Sequence, residues 1–76
     1  MNNSNLIYRQ RLALLTPREK EVFKLLGKGL SNKIVAPMLG VTERTIEAHR
    51  ARILRKMQAK NLVHLLYLLI PFSEFD

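Results

Sequence analysis

The sequence predicts an all-α domain of four short helices. Three observations carry that expectation. Hydroxyl side chains at Thr16, Ser31 and Thr42 each precede apolar residues at helical spacing; Gly27, Gly29 and Gly40 stand where such segments stop; and neither glycine nor proline occurs from Glu43 to Ile70. A serine or threonine oxygen accepts from a free N–H of a first turn, and glycine closes a last turn in the left-handed conformation.

Residues 1–5 are small and polar and predict a disordered stretch or a short leader. Leu6, Ile7, Leu12, Leu14 and Leu15 then surround Arg9 and Arg11, a pattern compatible with either a short helix or an extended strap. The first clear helix spans Pro17 to Lys28. Thr16 and Glu19 have the spacing of a capping box, Pro17 occupies the first position where its missing donor costs nothing, and Val22, Phe23, Leu25 and Leu26 share one face. Ser31 caps a second helix, with Ile34, Val35, Met38 and Leu39 on one side and Gly40 as its stop. Pro37 lies beyond its first turn and removes the bond back to Lys33, a defect of about 3 kcal/mol in a helix interior; a bend or a loosened turn is expected, not loss of the element. Gly40-Val41-Thr42 is a three-residue turn into a third helix, Glu43 to Met57, with Ile46, Ile53 and Met57 recurring on its buried side. Asn61 can cap a fourth, Leu62 to Ile70, which Pro71 ends. The implied organisation is a leader or linker over 1–14, partly disordered, a domain over 15–70 and a tail over 71–76.

The 76 residues carry 13 Lys+Arg against 6 Asp+Glu, a net charge of +7, with 47% hydrophobic residues, no cysteine and no tryptophan. A chain this short buries only about 60% of its unfolded surface, which disfavours a deep enclosed active site. Without cysteine there is neither a disulfide framework nor a thiolate zinc site, which points to an intracellular, cytoplasmic protein. His49 and His64 complete no metal-ligand spacing. No nucleophile with its base and no paired carboxylates are visible, so no enzyme, cofactor or small-molecule ligand is expected. The longest apolar run, Leu65 to Ile70, is far short of the roughly 20 residues that cross a bilayer. The excess positive charge favours a polyanion: nucleic acid first, then an acidic membrane surface or an acidic protein.

The third helix carries much of that charge. Residues 43–60 hold six basic and two acidic side chains. On a helical wheel Arg44, Ala48, Ala51 and Arg55 fall within about 40° of the point opposite Ile46, with Glu47 and Arg52 flanking them. The middle of this basic half is flat, because Ala48 and Ala51 are its smallest side chains. Small residues ringed by arginine suit a helix that approaches a major-groove floor while its flanks hold phosphate oxygens. A charged helical face is about as often merely solvated; the short helix and glycine turn ahead of it shift the balance, since that geometry holds a recognition helix proud of its support.

These residues also carry a resemblance. Leu15-Thr16-Pro17-Arg18-Glu19 with Glu21-Val22, Gly29-Leu30-Ser31-Asn32-Lys33, Leu39-Gly40-Val41-Thr42-Glu43-Arg44-Thr45-Ile46, His49-Arg50 and Leu54-Arg55-Lys56-Met57 together resemble the LuxR-type helix-turn-helix domain, within it the FixJ/NarL response-regulator group, over about Leu15 to Leu69. The resemblance implies a four-helix domain that binds inverted half-sites on double-stranded DNA as a homodimer, normally as the C-terminal output module of a longer regulator. It maps base contacts onto Glu47, Ala48 and Ala51 with Arg50 and Arg52 close by, and backbone contacts onto Asn32, Lys33, Arg44, Thr45, His49, Arg55 and Lys56. It pairs subunits through the last helix, here Leu65, Leu66 and Leu69. Two features depart from the pattern: Pro37 stands in the scaffold helix, and no receiver or ligand-binding domain precedes Met1, as in an excised domain or a stand-alone member.

Each assignment has a plainer counterpart. Glu47 could accept from a cytosine amine or pair with Arg44 on its own surface. Ala48 and Ala51 could touch thymine methyls or simply favour the helix. His49 borders the core and suits a bond to phosphate or a carbonyl better than catalysis, His64 faces solvent or an interface, and the Arg50 stem should lie over Ile46 and Ile53. Helix four is apolar on every side except at His64, so one face should pack inward and another meet a partner. A sigma-factor promoter-reading domain shares the Thr-Pro-Arg-Glu start but not that helix. A module that heterodimerises through helix four and titrates a full-length regulator is the alternative from another class.

Overall fold

The computed structural model describes residues 3–61 and 63–64. Four helices follow in order: α1 (Asn3–Leu12), α2 (Pro17–Gly27), α3 (Asn32–Leu39) and α4 (Glu43–Lys56). The described residues contain no strand, so the domain is all-α.

The predicted caps of α2, α3 and α4 form. Thr16 Oγ1 accepts from Glu19 N–H at 3.1 Å while Glu19 Oε1 accepts from Thr16 N–H at 2.8 Å. Ser31 Oγ accepts from Ile34 N–H at 3.3 Å, and Thr42 Oγ1 from Thr45 N–H at 3.1 Å. α2 ends one residue short of Lys28, which becomes its C-cap, and Gly29 follows at φ +86°. α3 runs unbroken through Pro37 to Leu39. The Pro37 ring is exposed and its carbonyl accepts from Gly40 N–H at 3.2 Å, while Ala36 O accepts from Val41 N–H at 3.0 Å. With Gly40 at φ +70°, this pair of bonds is a Schellman ending that supports the turn carrying the proline.

α4 ends the same way without glycine. Gln58 N–H donates to Arg55 O at 3.1 Å and Ala59 N–H to Leu54 O at 2.8 Å, with Gln58 itself at φ +55°. A residue with a Cβ pays roughly 1 kcal/mol there. Arg11 of α1 stands by to hold it: Nη2 donates to Gln58 Oε1 at 3.1 Å and Nη1 to Met57 O at 3.4 Å.

Between helix and strap, residues 3–12 take the helix. It starts inside the polar stretch 1–5 and fills most of the segment expected as a leader or linker. Its apolar residues do not share one face: Tyr8 and Leu12, one turn apart, pack against the core, whereas Leu6 and Ile7 remain exposed. The core joins Leu15, Val22, Phe23 and Leu26 to Val35 and Ala36 of α3 and to Ile46, Ile53 and Met57. α2 and α3 pack on one another and both on α4, which leaves the opposite half of α4 outside.

Of the fourth predicted helix only Val63 and His64 are described, both helical. Asn61 Oδ1 accepts from His64 N–H at 2.8 Å, and His64 Nδ1 accepts from Lys60 N–H at 2.9 Å. Leu65, Leu66 and Leu69 lie outside the described residues.

Candidate nucleic-acid interface

Ile46 and Ile53 bury one line of α4 completely, and the helical period turns the predicted face outward. Arg44, Glu47, Ala48, Ala51, Arg52 and Arg55 are exposed. Thr45, His49, Arg50 and Lys56 flank them, half-buried; for Arg50 this fits a stem laid along the core with its head free. Lys33 is exposed and Asn32 half-buried at the start of α3. The exposed alanines make the centre of the face low, and the arginines stand around it.

Among the described residues there are two ion pairs, Arg18–Glu21 and Lys56–Glu19. Arg44, Arg52 and Arg55 belong to neither, so their charge is unspent. Glu47 belongs to neither as well, so the plainer account in which it neutralises Arg44 is not realised. Glu43, in the first turn of α4, sits where the helix dipole favours an anion.

Three polar details distinguish the flanking residues. The Thr45 hydroxyl lies 3.0 Å from that of Thr42, which fixes its rotamer at the helix start. Asn32 Oδ1 and His49 Nδ1 are buried and have no hydrogen-bond partner among the described residues. The remaining polar side-chain atoms of the two residues are Nδ2 of Asn32, a donor, and Nε2 of His49.

Lys56 differs from the other basic candidates. Its Nζ donates to Glu19 Oε1 at 2.7 Å, and Glu19 is only 2% exposed. Burial alone would push the Glu19 carboxyl up, but the Lys56 ammonium and the Thr16 bonds outweigh it and hold the carboxyl below its ordinary value. One Lys56 donor is thereby committed to joining the end of α4 to the first turn of α2. Sequence reasoning found Glu19 as a cap but missed this partner, which lies 37 residues away with no local signal.

No described helix is long and apolar enough to cross a membrane, and among the described residues no group of three His, Cys, Asp or Glu could hold a metal ion.

Comparison with known proteins accords with this geometry. The family model for bacterial regulatory proteins of the luxR family matches residues 13–69. The transcriptional regulatory protein FixJ of Rhizobium meliloti is 46% identical over 57 residues, 75% of this chain and 28% of its own length. The tetrathionate response regulatory protein TtrR of Salmonella typhimurium is 44% identical over 52 residues, 68% of this chain and 25% of its own. The nitrate/nitrite response regulator NarL of Escherichia coli is 45% identical over 49 residues, 64% and 23%. The chain thus spans about a quarter of the length of these regulators. No solved structure matches. The match covers α2, α3 and α4 together with their turns, and the chain belongs to the luxR family of bacterial regulatory proteins, as a helix-turn-helix DNA-binding domain of transcription regulation.

Proposed function

We propose that the chain reads specific double-stranded DNA sites in the cytoplasm with α4 in the major groove, residues 15–70 forming the DNA-binding domain. Glu47, Ala48, Ala51, Arg50 and Arg52 meet base edges; Asn32, Lys33, Arg44, Thr45, His49, Arg55 and Lys56 meet the phosphate backbone. Two copies pair through Leu65, Leu66 and Leu69 and so read inverted half-sites. The observation that carries this reading is the exposed half of α4, flat at Ala48 and Ala51 and ringed by Arg44, Arg52 and Arg55, none of them in an ion pair among the described residues. Small side chains let a helix sit deep in a groove, and unpaired guanidinium groups release counterions on binding phosphate.

Selection from a random duplex pool tests it: recovery of an inverted repeat is expected. Weak binding indifferent to sequence would favour instead the interaction module that heterodimerises through the last helix and titrates a full-length regulator. Sedimentation that shows monomer alone, with and without the selected duplex, would remove the dimer.

Two substitutions separate the roles within α4. Arg55→Ala should weaken binding to every duplex and reduce the slope of log affinity against log salt by about 0.9, the value of one phosphate contact. An unchanged slope removes Arg55 from the backbone set. Glu47→Ala should change the preferred site, relaxing discrimination at one base pair by about 1–3 kcal/mol. Uniform loss across sites moves Glu47 out of the base-reading set.

A further inference from the structure

A second feature lies away from the α4 face. α1 and α2 form a groove of about 440 Å³ lined by Tyr8, Leu12, Lys20, Phe23, Lys24 and Gly27. Its floor is apolar, and a Cβ placed on Gly27 would meet nothing within 4 Å, so its end is open. Lys20 and Lys24, one turn apart on α2, are exposed and in no ion pair among the described residues. Arg9 adds a further exposed positive charge on α1.

An apolar floor with a cationic rim selects its occupant. A second copy of the same surface would bring Lys20, Lys24 and Arg9 against their own kind. Duplex DNA offers phosphates to the rim but nothing that fills the floor. The matching chemistry is a short segment with aromatic residues between carboxylates, and the sequence contains one, Phe72-Ser73-Glu74-Phe75-Asp76. The six acids of the chain narrow the assignment. Glu19 pairs with Lys56 and Glu21 with Arg18, and Glu43 and Glu47 stand on the first turns of α4, which leaves Glu74 and Asp76. Arg11 binds the α4 ending at Met57 and Gln58, so the chain leaves α4 beside a wall of the groove. The eight-residue step from His64 to Phe72 spans about 12 Å as helix and up to roughly 28 Å extended, against short dimensions of 24 and 20 Å for the molecule.

We propose that Phe72–Asp76 of the same chain docks in the α1–α2 groove, with Phe72 and Phe75 over Leu12 and Phe23 and with Glu74 and Asp76 against Lys20 and Lys24. Docking covers the apolar floor and neutralises Lys20 and Lys24, which lie outside the proposed DNA face.

Zero-length carbodiimide crosslinking of the full chain, without DNA, followed by peptide mass spectrometry tests this. A groove filled most of the time predicts roughly tenfold more linkage of Glu74 or Asp76 to Lys20 and Lys24 than to Lys33, which is exposed on α3. Mixing isotope-labelled with unlabelled chain should give links within one chain only. The charge reversal K20E/K24E should move the Leu12 methyl and Phe23 ring resonances to where deletion of residues 72–76 puts them, and adding E74K/D76K should return them to their wild-type positions. Far-ultraviolet circular dichroism confirms that each surface variant is folded. Links spread evenly over Lys20, Lys24 and Lys33 would overturn the proposal. So would links between labelled and unlabelled chains, which assign the groove to a second copy. Leu12 and Phe23 resonances that stay put on deleting residues 72–76 would also overturn it, since they assign the groove to some other occupant.

Discussion

Lys56→Ala is expected to destabilise the domain by about 3 kcal/mol at neutral pH, because removing one member of a buried pair strands the charge of the other. Glu19 is 2% exposed and has its Oε1 within 2.7 Å of Lys56 Nζ. The Lys56 side chain is about a third exposed, so solvent screens part of the attraction and the loss should sit at the low end of the buried range. Against a total of roughly 4–11 kcal/mol for a domain of this size, that is a large fraction. The pH dependence separates the cause from simple loss of packing. In the wild type the Glu19 carboxyl is held low, so its contribution is complete above the ordinary carboxylate range and fades as pH falls through its folded value. In Lys56→Ala burial is opposed only by the Thr16 bonds and pushes the carboxyl up, so the deficit should shrink on acidification as Glu19 becomes neutral. Urea denaturation at pH 7 and pH 4 reads both signs. A deficit that is the same at the two values would assign the effect to the Lys56 stem alone. For the proposed DNA contacts the consequence is practical: Arg55, in no ion pair among the described residues, tests phosphate contact cleanly, whereas a Lys56 variant mixes affinity with folding.

Ile53→Ala should cost about 3–4 kcal/mol, the transfer of the lost methylenes plus the cavity they leave. Ile53 is 1% exposed and lies with Ile46 and Met57 in the cluster that α2 and α3 share. Ile53→Val should cost only about 1 kcal/mol. Denaturation midpoints of the two variants check the ratio, and similar losses in both would mean that the site relaxes freely. Because Ile53 faces away from the cationic half of α4, DNA affinity corrected for the folded fraction should be unchanged.

The parts of the domain legible in the sequence are those fixed by contacts within one turn. Thr16 with Glu19, Ser31 with Ile34 and Thr42 with Thr45 set three helix starts to the residue, and the period of Ile46, Ile53 and Met57 set which half of α4 is exposed. The parts that were not legible depend on groups distant in the chain. α1 has apolar residues on two faces, and only the packing of Tyr8 and Leu12 and the Arg11 bonds decide for a helix. Gln58 in the left-handed region carries none of the glycine signal seen at Gly40. The Lys56–Glu19 pair joins the end of one helix to the beginning of another, so no window on either segment contains both. Pro37 predicted a disturbance that an exposed ring and the bonds across Gly40 absorb.

The Arg11 contacts make the two extremities of the described domain depend on one another. The direction in which the polypeptide departs after Gln58 is set by a strained backbone angle, and the side chain that steadies that angle belongs to α1. Trimming the chain to begin at residue 13 would spare every residue of the reading face yet remove the side chain that clamps Gln58.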